Sequence, residues 1–197
     1  MGTSARLGRP PQFSSEDVVH VALRLGIDTF SVKGVSQELG VTPAAVYRHF
    51  STRDNLMRAC VCAAFSTVEP LKDRSDRESI LRLFSDEWWK LMIRYPGLVN
   101  AVSRPREVVA DALDSPLGSY GQGLMDTGIS EGQVIFAGLT IACSLGNIVR
   151  FHRDPRPDGA DGLFDDSAEQ QRQRTIDFIV SSFRVSWPAW SLPINPD

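Results

Sequence analysis

The five residues Leu39-Gly40-Val41-Thr42-Pro43 constrain this chain more than any other stretch. Glycine enters the left-handed conformation that stops a helix, because it has no Cβ to clash. Threonine is a favoured N-cap, and proline loses nothing at a first helical position, where its missing N–H has no partner within the helix. Stop, cap and start in that order predict two short helices joined by a tight turn. One opens at Ser31 or Val32 and runs through Val35 to Leu39; the next runs from Pro43 to about His49. That is helix-turn-helix grammar.

The flanking pattern is helical throughout. Ser14 or Ser15 can cap a first helix, with Glu16 and Asp17 in its positive first turn and Val18, Val19, Ala22, Leu23 and Leu25 as its apolar stripe, up to Gly26. Asn55 to Val68 and Glu78 to Tyr95 repeat apolar residues three or four apart. Val102 to Met125 reads as a less regular helix, broken around Ser115-Pro116-Leu117-Gly118 by the proline. Ser130 and Gln133 resemble a capping box, opening a helix to about His152 that is apolar nearly all round and carries a small-residue row at Gly138, Ala142 and Gly146. Asp154 to Ser167 reads as a loop rich in proline, glycine and acids, and Ala168 to about Trp187 as a last helix facing inward through Ile176, Ile179, Val180 and Phe183. No strand pattern and no repeat is present, so the expected fold class is all-α.

Composition narrows the function classes. A chain of 197 residues, 42% apolar and 23% charged, can bury a sizeable core. The run Val134 to Val149 is interrupted by polar residues and glycines, so no membrane segment is expected. The basic N-terminus has no apolar run behind it, which argues against a secretory signal and for a cytoplasmic location. Three cysteines and three scattered histidines lack zinc-ligand spacing, so neither a disulfide framework nor a metal is expected. No nucleophile elbow and no phosphate-cradling glycine loop occurs, so the chain is expected to be no enzyme and to need no cofactor. Residues 1–60 hold seven Lys and Arg against five Asp and Glu, and residues 61–197 hold fourteen against nineteen. A basic head on an acidic body suits a nucleic-acid reader with a separate regulatory module.

One stretch carries a family signature: Gly8-Arg9-Pro10-Pro11, Phe30-Ser31-Val32, the run Val35-Ser36-Gln37-Glu38-Leu39-Gly40-Val41-Thr42, then Ala45-Val46-Tyr47-Arg48-His49-Phe50 and Arg53-Asp54-Asn55-Leu56. It resembles the N-terminal DNA-binding domain of the TetR (tetracycline repressor-like) family of bacterial transcription regulators. Ser36 departs from the small alanine usual there, tolerably if its hydroxyl bonds back to a carbonyl. The resemblance implies a mobile basic arm at residues 1–13, a helix-turn-helix domain at 14–58 and a helical ligand-binding and dimerisation domain at 59–197. It also implies a homodimer, a double-stranded DNA operator and a small-molecule effector, with no membrane partner.

The side chains available to a major groove are Thr42, Ala44, Ala45, Tyr47, Arg48 and His49. Arg48 is the expected base reader, its bidentate reach to guanine worth about 1–3 kcal/mol of discrimination, while the methyls of Ala44 and Ala45 can touch thymine methyls. The family's Tyr-x-His-Phe motif implies phosphate contacts for Tyr47 and His49. Lys33 and Arg53 flank the groove as expected phosphate clamps, and Arg9 as a minor-groove contact. In the body, Phe84, Trp88, Met92, Met125, Phe136, Leu139 and Cys143 are the candidates for lining an effector cavity. The leading expectation is a repressor that releases its palindromic operator when an apolar effector binds and changes the separation of two heads. The alternatives are an enzyme or carrier with a vestigial head, and a DNA-binding regulator that senses a protein partner or nothing.

Overall fold

The computed structural model describes residues 13–72, 76–95, 97–101, 110–153, 166–185 and 187. Among these every regular element is a helix. Arg9 and most of the expected arm and acidic loop lie outside the described residues. Contacts divide the chain into two compact units, residues 1–60 and 61–197.

In the first unit α1 (Ser15–Leu25) begins at a capping box: Ser14 Oγ accepts from Asp17 N at 3.1 Å and Ser14 N donates back to the Asp17 carboxylate at 2.7 Å. Those bonds hold the Asp17 carboxyl below its ordinary pKa. The buried stripe is Val18, Val21 and Ala22; Val19 and Leu23 are half-buried and Leu25 is exposed, so the face is rotated toward Val21 relative to the expected one. α2 (Val32–Glu38) is capped by Ser31, whose Oγ accepts from Gly34 N at 3.0 Å, and buries Val32, Val35 and Ser36. The Ser36 hydroxyl donates to Lys33 O at 2.8 Å, which is how this position carries a polar group at full burial. α3 (Pro43–Tyr47) and α4 (Arg53–Phe65) follow, the latter three residues shorter at its C-terminal end than its apolar pattern suggests.

The second unit is built on three long helices. α5 (Arg77–Arg94) is capped by Asp76, and α6 (Leu98–Ala101) is one turn. α7 (Gly118–Asp126) starts after the expected break: Ser115 turns the chain and Gly118 N donates to Ser115 O at 2.9 Å. A Cβ at Gly118 would fall 2.1 Å from Leu113 O, so only glycine admits that approach. α8 (Glu131–Arg153) begins at the Ser130–Gln133 box and α9 (Ala168–Val185) at a second one, Ser167 with Gln170.

α8 packs against α5, α6, α7 and α9. Its 23 residues, with a mean hydropathy of 1.7 over the most apolar 18, would be long and apolar enough to cross a membrane, but in the fold it is the central helix of the body. Polar ties fix α9 on α5: Arg82 reaches Asp177 at 2.6 Å, and Arg172 bonds both Asp86 and Glu169 and lies over the Trp89 ring.

Candidate functional site

Two places in the chain are built for recognition, one in each unit. In the first, α2 ends with Leu39 still helical, and Gly40 takes φ +67°, the left-handed turn residue. Val41 N then donates to Ser36 O at 2.9 Å, closing the turn. Thr42 is extended, and its Oγ1 accepts from Ala45 N at 3.3 Å, with Pro43 opening α3. The turn thus points the start of α3 outward: Thr42, Ala44, Tyr47 and Arg48 are exposed, Tyr47 by 47%. Regular helix stops at Tyr47 rather than His49, with Arg48 as its C-cap.

Three of the expected contacts are placed differently from the rest of this face. Ala45 is only 6% exposed and sits with Val46 in the core, because a five-residue helix must turn that side inward to be held, which turns its methyl away from the outward face expected of it. Arg53 is not a free clamp. Its Nε donates to Phe30 O at 3.2 Å and its Nη2 to Asp28 O at 2.9 Å, with the guanidinium over the Phe30 ring, so it staples the loop after α1. His49 is half-buried, its Nδ1 3.1 Å from Ser15 Oγ and its ring 4.8 Å from that of Phe13, which leaves Nε2 as the atom with no bond assigned. Lys33 remains an exposed cation on α2.

In the second unit the helices enclose a cavity of about 400 Å³. Phe84, Trp88, Met92, Leu139 and Cys143 line it, as expected; Met125 and Phe136 do not. Phe136 turns the other way, edge-on to Phe183 of α9 at 6.1 Å, because α8 is apolar all round and only its neighbours decide which face meets the cavity. The aromatic wall is ordered: Phe84 stacks on Trp88 at 6.2 Å and meets Tyr120 edge-on at 6.1 Å. Tyr120 is fixed by its hydroxyl, which donates to Glu69 O at 2.9 Å, and burial pushes its pKa up to about 12. The Trp88 indole N–H is buried without a hydrogen-bond partner, an unpaid desolvation at the edge of the chamber.

The small-residue row has a different use from the packing or dimer seam its spacing suggests. Gly138, Ala142 and Gly146 all line the cavity, which exists because α8 presents no bulk there. Their spare room is unequal: a Cβ on Gly138 would meet Phe84 Cζ at 3.8 Å, one on Gly146 would meet Val99 Cγ1 at 3.1 Å, and one on Gly121 across the cavity would meet Val134 Cγ1 at 3.2 Å. Sequence reasoning missed Tyr120, Asn147 and Arg150 in the lining. For the last two the signal was available, since they continue the Cys143 face of α8 at helical spacing.

Cys60 is buried, and desolvation pushes its thiol up to about 12, out of reach as a nucleophile at neutral pH. Among the described residues no group of three His, Cys, Asp or Glu side chains is placed to hold a metal.

The comparisons with known proteins agree with this division. The model of the bacterial regulatory proteins of the tetR family matches residues 20–60. No curated protein sequence matches the chain. Among solved structures the chain is similar to a TetR variant from Acinetobacter baumannii AYE in complex with minocycline, at 16% identity and a TM-score of 0.70 over 88% of this chain and 97% of that one. It is similar to Mycobacterium smegmatis BioQ, at 17% identity and 0.65 over 88% and 98%. A third is the Streptomyces coelicolor TetR family protein ActR in complex with (S)-DNPA, at 14% and 0.52 over 89% and 98%. At such identities the likeness is one of fold.

Proposed function

We propose that the chain, whose residues 20–60 match the model of the tetR family of bacterial regulatory proteins, is a DNA-binding transcriptional regulator, a repressor released from its operator by a small, largely apolar effector. The observation that carries this reading is the pairing, in one chain, of an outward-facing capped helix with an apolar cavity of about 400 Å³. Two of the proteins it resembles hold small molecules, minocycline in one and (S)-DNPA in the other, which supports a binding role for the body. Arg48 reads a base, Tyr47 and Lys33 hold phosphates, and the Nε2 side of His49 is placed to do the same. The test is a mobility shift with duplex DNA flanking the chain's own gene, repeated with a panel of apolar compounds. A retarded band that one compound class releases is the expected result. A chain that shifts none of that DNA, or whose complex no compound disturbs, overturns the reading.

The regulator acts as a homodimer, joined through α8 and α9, on half-sites about 34–36 Å apart per helical turn. Support comes from α9, whose Phe178 and Val185 are 72% and 83% exposed, a costly apolar display for a lone chain. Phe178→Glu should split a light-scattering dimer into monomers by placing an unpaired charge in the interface. A dimer that survives it puts the seam elsewhere.

A further inference from the structure

The cavity is apolar except along one edge. Phe84, Trp88, Met92 and Leu124 supply carbon surface, and the Tyr120 hydroxyl is already spent on Glu69 O. Along the C-terminal half of α8, however, Cys143, Asn147 and Arg150 also line the cavity and are exposed. Arg150 is the charged side chain of that lining.

Its pairing differs from that of three other arginines in the same unit, though Arg77, away from the cavity lining, likewise bonds neutral oxygens, those of Thr127. Arg82, Arg172 and Arg174 are each matched to carboxylates. Arg150, among the described residues, meets only neutral amide oxygens: Asn100 Oδ1 at 3.2 Å and Asn147 Oδ1 at 3.5 Å. A guanidinium has five N–H donors and a fixed charge, so two amide contacts leave it uncompensated. Its strongest available partner is an anion, since charge-assisted bonds are about twice as strong as neutral ones. A cationic ligand is repelled there, and a second negative group would have to be buried against carbon.

We propose that the effector is an amphiphilic monoanion: an apolar body among Phe84, Trp88, Met92 and Leu124, carrying one anionic group held by Arg150 and the Asn147 amide. This inference rests on the reading of the cavity as the effector site, and it adds the chemical class. A carboxylate, sulfonate or phenolate on a ring or chain scaffold satisfies it; a neutral hydrocarbon does not.

Two fluorescent probes with one skeleton separate the claims. 8-Anilinonaphthalene-1-sulfonate carries the anion and N-phenyl-1-naphthylamine lacks it. Titrated into the full chain, both should brighten, with the sulfonate bound more tightly. Arg150→Gln, at an exposed position, should weaken the sulfonate about five- to tenfold and leave the neutral probe within about twofold, while Arg150→Lys retains most of the preference. Gly138→Leu, which projects a side chain into the chamber, should expel both. If Arg150→Gln leaves the sulfonate's affinity unchanged, or if the neutral probe binds wild type as well as the sulfonate does, the anion assignment is wrong and the cavity reading stands. If neither probe binds wild type, or both bind Gly138→Leu undiminished, the cavity reading itself fails.

Discussion

The two units solve the problem of specifying a surface in opposite ways. In the first, short helices are held by local polar chemistry: Ser14 on Asp17, Ser31 on Gly34, Thr42 on Ala45, and Gly40 between them. Each device acts within three or four residues, and together they place a few outward side chains. In the second, α5, α7 and α8 line a chamber whose shape depends on what α8 omits at Gly138, Ala142 and Gly146. A reading face can therefore be dictated by neighbours in the chain. A chamber is dictated by neighbours in space.

If the body is close-packed everywhere but the chamber, cost should depend steeply on whether the residue touched on α8 is packed or borders the chamber. Leu145 is fully buried, and Leu145→Ala should lower stability by about 2–5 kcal/mol in denaturant or thermal unfolding. Gly138→Ala, two turns earlier on the same helix and on the cavity wall, should cost little or stabilise slightly, since its methyl meets only ordinary contact and alanine favours helix. Equal costs would mean that the chamber is not distinct from the core.

In the head, Arg53→Ala should cost about 1–3 kcal/mol through its lost bonds to Phe30 O and Asp28 O. It should leave the salt dependence of DNA binding unchanged. Lys33→Ala should do the reverse, sparing stability and reducing the slope of log K against log salt by about one per subunit. A changed slope with Arg53→Ala would restore that residue as a phosphate contact. Thr42→Ala should cost about 1 kcal/mol for a lost cap, read in the same unfolding curves. No loss there would mean that Pro43 and the Gly40 turn hold α3 without the hydroxyl.

These differences also explain what could be read in the chain before its structure. The Gly40-Val41-Thr42-Pro43 turn, the Ser14 and Ser130 caps and the break at Pro116 act over a few residues, so the order of letters announces them. Arg53 bonds carbonyls 23 and 25 residues upstream, and nothing near it in sequence marks that commitment. Ala44 and Ala45 are identical neighbours, one exposed and one buried, distinguished only by how α3 is rotated. On α8, apolar residues on every face hid which of Phe136 and Leu139 turned to the chamber. Ser167 looked like part of a loop, yet it caps α9 with Gln170.

The unequal room behind the cavity glycines bears on how such a chamber can drift. At Gly146 and Gly121 the first added methyl would press on Val99 or Val134, so any change there drags a second residue with it. At Gly138 a methyl faces Phe84 at ordinary contact distance. A lineage descending from this chain therefore has one inexpensive dial, turned by single substitutions at position 138, that shortens the molecules it admits one carbon at a time. Widening or reshaping the rest of the chamber requires paired changes, which arrive far more slowly.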